Sequence, residues 1–189
     1  MTSRRISIVA LVLAAACGGG GSNPAVDAAV GDGAAADAAD GFTTCTGACR
    51  TTALTAAFVV NRPLDRAVYG VTMTPPSLHV EAYAGAAPGC PTQSSPSPDY
   101  TFILGRVPVP MSTAPSTPPG PGNILDFTGD LLGGPLGAAA TTVAITPVAA
   151  ADPTGAAGFV ALDVTATFAN GTVTGHVFAD HCASLDAAN

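Results

Sequence analysis

The sequence predicts an all-β domain over residues 42–189, set behind a leader and an unstructured linker. Three observations predict it. Glycine (22) and proline (17) together take about a fifth of the 189 residues, well above the usual sum near 12 %, and this breaks up long helices. Apolar side chains recur at every second position in several segments of five to ten residues, the signature of strands with one buried face. Outside the leader and linker, no segment carries an apolar stripe of helical period. The 48 % hydrophobic content is less than it looks, because 38 of those residues are Ala, which buries little area.

The leader comes first. Arg4 and Arg5 precede eleven apolar residues, Ile6 to Ala16. That length suits the apolar region of a signal peptide and falls short of the roughly 20 residues that span a bilayer. Ala14, Ala15 and Ala16 then lead into Cys17, with Gly18 behind it. This pattern resembles the lipobox of bacterial lipoproteins, with Ala14 where Leu is usual. The resemblance implies a signal peptide over residues 1–16, lipidation of Cys17 and anchoring in the outer membrane. Two or more acyl chains, at about 0.8 kcal/mol per buried methylene, hold a protein stably on a bilayer where one would not.

Residues 18–41 contain only Gly, Ala, Asp, Val, Ser, Asn and Pro. Asp27, Asp32, Asp37 and Asp40 supply charge of one sign. With no large apolar side chain the segment cannot offset its ordering entropy, and it reads as a disordered tether with a span of roughly 25–30 Å. The spacing of its aspartates matches no calcium loop.

Strands are expected at 51–60, 66–73, 78–83, 100–107, 124–132, 141–148, 159–169 and 172–181. The last two flank Asn170-Gly171, a favoured pair for a two-residue type I′ hairpin turn. That turn sets Phe168 opposite Val173, Val164 opposite Val177 and Thr165 opposite His176. Proline-rich stretches at 87–99 and 107–122 read as surface crossovers. Seven to eight antiparallel strands in one domain point to a β-sandwich, immunoglobulin-like or related.

Five cysteines are an odd number for an exported chain. With Cys17 lipidated, Cys45, Cys49, Cys90 and Cys182 remain to form two disulfides in an oxidising compartment. Three pairings are open. The favoured one joins Cys182 to Cys45 or Cys49, and Cys90 to the other, since closing a loop of tens of residues contributes about 3–4 kcal/mol.

Composition excludes several chemistries. There is no Lys and no Trp, and the net charge is −7. The chain therefore lacks the basic face that nucleic-acid binding requires, and it has no lysine for catalysis. The run from Gly129 to Gly137 lacks the Lys of a phosphate loop. Asp126-Phe-Thr-Gly129 differs from an aspartic-protease triplet by the inserted Phe127 and has no second copy. No Gly-x-Ser-x-Gly elbow occurs. His181 beside Cys182 makes no nucleophilic pair once the sulfur is oxidised. His79 and Glu81 read as ordinary outward residues. Two candidate polar sites remain: His176 with Asp163 and Asp180, which share one strand face as a metal or acid–base patch, and Asp126 with Asp130, near Asn123, as a cation loop.

The leader ending in Cys17, the glycines 18–21 and the Ala/Asp tether are similar to predicted lipoproteins of GC-rich myxobacteria. The Cys45-Thr-Gly-Ala-Cys49 start and the Gly171-Thr-Val-Thr-Gly-His-Val-Phe-Ala-Asp-His-Cys182 finish resemble β-rich members of that uncharacterised group. The resemblance carries no catalytic residues and no cofactor. The reading is a lipid-anchored envelope protein whose β domain is a non-catalytic binding, adhesion or structural module. Its expected partners are the membrane, through the anchor, and an envelope protein or glycan, with no nucleic acid. The alternatives are a secreted hydrolase or metal-dependent enzyme using the candidate residues, and a calcium-dependent adhesion module.

Overall fold

The computed structural model describes residues 42–85, 89–118 and 120–186. The leader, Cys17 and the whole of the tether lie outside the described residues. Ten strands are formed: β1 (Ala53–Ala57), β2 (Asn61–Leu64), β3 (Arg66–Met73), β4 (Pro76–Ala84), β5 (Tyr100–Pro108), β6 (Gly122–Asp126), β7 (Gly137–Ala139), β8 (Thr142–Ala151), β9 (Phe159–Phe168) and β10 (Gly171–His181). Two 3-10 turns, Gly47–Arg50 and Ala183–Leu185, flank the strand-bearing region. The fold is all-β, as expected, with more strands than the seven or eight foreseen. The additions are β2 and β7, four and three residues long, which show no alternation of their own and exist by pairing with β1 and β6.

All ten strands share one mixed, open sheet. Its centre is β10. One edge of β10 pairs antiparallel with β9, which in turn pairs with β8. The other edge serves two partners in succession. Residues 172–176 pair antiparallel with β1, and Ala179, Asp180 and His181 then pair parallel with Ala67, Val68 and Tyr69 of β3. From β3 the sheet runs through β4, β5 and β6 to β7. The expected wholly antiparallel arrangement is thus corrected at β10–β3.

Burial follows the alternation. In β9, Val160, Leu162, Val164, Ala166 and Phe168 are buried and Asp163, Thr165 and Thr167 are exposed. These inward residues join Leu54, Leu64, Tyr69, Leu78, Val80, Phe102, Leu104, Ile124 and Ile145 in one core. Each such side chain contributes roughly 1.5–3 kcal/mol through burial. The edges are managed by sequence. Pro63 lies in the short strand β2, at one end of the sheet path, a position that tolerates a missing N–H. Pro147 interrupts β8, and the register shifts between it and Ala149. The proline-rich crossover after β5 is pinned to β8, where Ser116 and Ile145 exchange backbone bonds of 2.7 and 2.9 Å. Between β7 and β8 the chain turns a corner: Ala140 N donates to Gly122 O, while Thr141 N donates to Thr167 O, both at 2.7 Å.

The β9–β10 hairpin forms with a register two residues from the expected one. Gly171 pairs with Phe168, Val173 with Ala166, Val177 with Leu162 and His176 with Asp163. The turn residues are therefore Ala169 and Asn170, neither at positive φ, with Gly171 in the last position that type I turns favour. A slip of two leaves every side chain on its original face, so the apolar and polar faces stand as read. Gly171 is small for a different reason: a Cβ there would run into the Phe58 ring and the Ala57 carbonyl.

The disulfides also correct the expectation. Cys45 joins Cys49 and Cys90 joins Cys182, with Cα separations of 5.4 and 5.5 Å, inside the usual range. Cys45 packs with Ala149, Ala161 and Phe178 on the outer face of β8–β10. Cys182 lies past the end of β10 among Val68, Tyr83 and Leu185. These are two separate clusters, so Cys182 meets the Cys90 loop rather than the N-terminal pair.

Candidate functional site

The predicted His176, Asp163 and Asp180 patch separates on inspection. His176 stands directly opposite Asp163, and its Nδ1 faces Asp163 Oδ1 at 2.7 Å. Its Nε2–H donates to the Cys49 carbonyl at 2.9 Å. Both ring nitrogens are engaged, which leaves no lone pair for a metal or a substrate proton. His176 is a clasp that holds the 3-10 turn Gly47–Arg50 on the sheet. Asp180 is exposed and points elsewhere, into the cleft described below. The other histidines are each held at one ring nitrogen: His79 Nε2 lies 2.7 Å from Glu81 Oε1, and His181 Nε2 lies 3.0 Å from Asp186 Oδ1. Burial raises the Glu81 carboxyl, but hydrogen bonds from His79 and Tyr83 outweigh it and hold it below the usual range.

Asp126 and Asp130 are close in sequence and differ in role. Asp126 is 2 % exposed. Its Oδ1 accepts from the amides of Thr128 and Gly129 at 3.1 and 2.7 Å, and its Oδ2 accepts from that of Leu132 at 2.8 Å. Burial opposes its ionisation, yet the amides of Leu132, Gly129 and Thr128 win and keep its carboxyl below the ordinary value. Asp130 pairs with Arg62 and accepts from the hydroxyls of Tyr100 and Thr128, both at 2.6 Å. Those hydroxyls and the guanidinium hold it well below the carboxylate range. Asp126 organises a turn and Asp130 closes a polar network, so neither offers vacant oxygens. Among the described residues no group of three or more His, Cys, Asp or Glu side chains is placed to hold a metal ion.

The structure assembles a different site. A cleft of about 620 Å³ opens between the first 3-10 turn, the start of β3, the Cys90 loop and the end of β10. Its charged lining is Arg50, Asp65, Arg66 and Asp180, with Phe178 and His181 between them. The volume sits within the range of small-ligand sites. Arg50 lies over the Phe178 ring at 5.1 Å, a cation–π contact that fixes its guanidinium. Arg66 Nη2 donates to Gly89 O at 2.7 Å, next to the disulfide-tied Cys90. Thr52 clamps the floor: its hydroxyl donates to Phe178 O at 2.8 Å, and its oxygen accepts from Phe178 N at 3.1 Å.

Of these residues only Asp180 and His181 stood out in the sequence, and for other purposes. Arg50, Asp65 and Arg66 carried one signal, the scarcity of arginine. The described residues hold nine acidic side chains and four arginines, and two of the four line this cleft. A second hollow of about 280 Å³ is lined by Phe58, Val59, Leu132, Pro135, Phe168 and Asn170, with no charged side chain in its lining. No described helix is long and apolar enough to cross a membrane. Comparison with protein-family models, curated proteins and solved structures finds no match to this chain.

Proposed function

We propose that this protein is a lipid-anchored binding module of the bacterial outer membrane: Cys17 carries the lipid, residues 18–41 act as an acidic tether, and the β domain holds an envelope ligand without turning it over. The finer architecture we propose is a sandwich, with the single sheet doubled over at the β7–β8 corner so that its halves enclose the shared core. One observation carries the functional reading. The cleft presents two positive and two negative side chains from three chain segments, and among its described lining residues no nucleophile stands paired with a base. Such a site has the means to bind and orient a charged ligand.

Two measurements test the reading. In membrane fractions, wild-type protein pellets and carries an acylated N-terminus by mass spectrometry, and Cys17→Ser moves it to the soluble fraction. Immobilised wild-type protein retains an envelope component that elutes at unchanged mass, and Arg50→Gln loses it. A component eluted in cleaved form would replace the module with an enzyme.

A further inference from the structure

We infer that the Arg50–Asp180 cleft recognises a zwitterion bearing a carboxylate and an ammonium group, of the size of a short peptide with free ends. This deepens the binding-module reading and rests on it.

The argument begins with the charges. Arg50 and Arg66 bring two positive groups to the lining, and Asp65 and Asp180 bring two negative ones. Groups of opposite sign in one hollow ordinarily collapse onto each other. Here Arg50, Asp65 and Asp180 do not: the ion pairs among the described residues join Arg62 to Asp130 and each histidine to a carboxylate, and none includes those three. The separation is held by the backbone. Arg50 belongs to a 3-10 turn closed by the Cys45–Cys49 disulfide and clasped by His176. Asp65 N donates to Tyr83 O at 3.1 Å, which fixes the start of β3. Asp180 sits in the β10 ladder, paired with Phe159 on one edge and Val68 on the other. Arg66 is tethered to Gly89. Four charges on three restrained segments form a preorganised site, which lowers the ordering cost of binding.

The sign pattern selects the ligand. The formal charge of the lining is zero in a domain with five more acids than arginines. A pure anion would meet Asp65 and Asp180, and a pure cation would meet Arg50 and Arg66; each would bring a like charge against half of the lining charges. A ligand with both signs satisfies both sets. Its carboxylate suits the Arg50 guanidinium, whose donors lie around the edge of a plane already stacked on Phe178. Its ammonium suits Asp180 and Asp65. The volume of about 620 Å³ accommodates a dipeptide.

Titration calorimetry on the mature full-length chain in detergent micelles tests this with alanyl-alanine, its N-acetyl form and its C-terminal amide. The dipeptide binds, and either block weakens binding at least about tenfold, the cost of one unmatched charge. In Arg50→Gln, amidation brings no further loss; in Asp180→Asn, acetylation brings none. Both side chains are exposed, and the wild-type series stands without either variant. Equal binding of the dipeptide and its acetylated form, binding of phosphoethanolamine in preference to the dipeptide, or no dipeptide heat at all would each overturn the inference. An envelope component retained by wild type and lost by Arg50→Gln, alongside no dipeptide heat, would sink the zwitterion and leave the binding module standing.

Discussion

Two charged clusters in this domain use the same residue types to opposite ends. Around Asp126 and Asp130, carboxylates meet an arginine, two hydroxyls and three backbone amides, and every contact closes inward. Around Asp65 and Asp180, carboxylates share a cleft with arginines and are not paired with Arg50. The first arrangement stabilises a turn between β6 and β7; the second keeps its interactions for something outside the chain. A cluster's partners, more than its composition, therefore separate structural from functional charge.

The largest expected effect lies in what holds the open cleft in shape. Cys90 and Cys182 close a loop of 92 residues in sequence separation, and Cys45 and Cys49 close one of 4. On the loop-entropy relation their removal costs about 4–5 and about 2 kcal/mol respectively. Urea unfolding of Cys90→Ala/Cys182→Ala against Cys45→Ala/Cys49→Ala checks the order. Equal midpoints would mean that the short link matters through the Gly47–Arg50 turn, and would move the stability of the cleft onto the His176 clasp.

The closed cluster comes next. Asp126→Ala leaves three amides without their acceptor in a buried turn, at a cost of about 2–4 kcal/mol, and thermal unfolding reads it directly. The pH dependence has a definite sign. The folded Asp126 carboxyl lies below its unfolded value, so its contribution is complete above the ordinary carboxylate pKa near 4 and is lost as pH falls through the folded value. Asp126→Asn flattens the acid limb of the stability profile below about pH 4. An unchanged acid limb would assign acid sensitivity to Glu81, Asp130 and Asp186, the other described carboxyls held low by hydrogen bonds.

The same contrast explains what could be read from the sequence. Strands such as β3 and β9 were legible because one face of each enters the core, which forces period-two alternation on the residues. Strands β2 and β7 were not, since Asn-Arg-Pro-Leu and Gly-Ala-Ala become strands only by lying against β1 and β6. The hairpin's faces were legible and its register was not: Gly171 reads as a turn residue, while its small size answers to Phe58, more than a hundred residues earlier. Asp126 and Asp130 were visible as a local cluster, but their saturation was not, because Arg62 and Tyr100 arrive from other strands. The cleft was the least legible feature. It depends on the parallel contact of β10 with β3, which places Asp180 beside Val68, and no local pattern encodes a pairing across more than a hundred residues.

The smallest expected effect distinguishes the two clusters most sharply. Asp65 and Asp180 line one cleft in a domain with excess negative charge, so each raises the self-repulsion of the folded state. If they serve a ligand and not the fold, neutralising them removes a cost. Asp65→Asn/Asp180→Asn is therefore expected to be neutral or to raise stability by about 0.2–0.5 kcal/mol at low salt, with the gain shrinking as salt screens the repulsion. The corresponding change in the closed cluster, Asp126→Asn, goes the other way, because an amide nitrogen is forced among N–H donors. Sites that give up stability for function show this pattern. Matched thermal scans of the two variants at low and high ionic strength read both signs together. A clear destabilisation by the cleft variant would show that Asp65 and Asp180 support the fold after all, and would reduce the cleft to a second structural cluster with longer contacts.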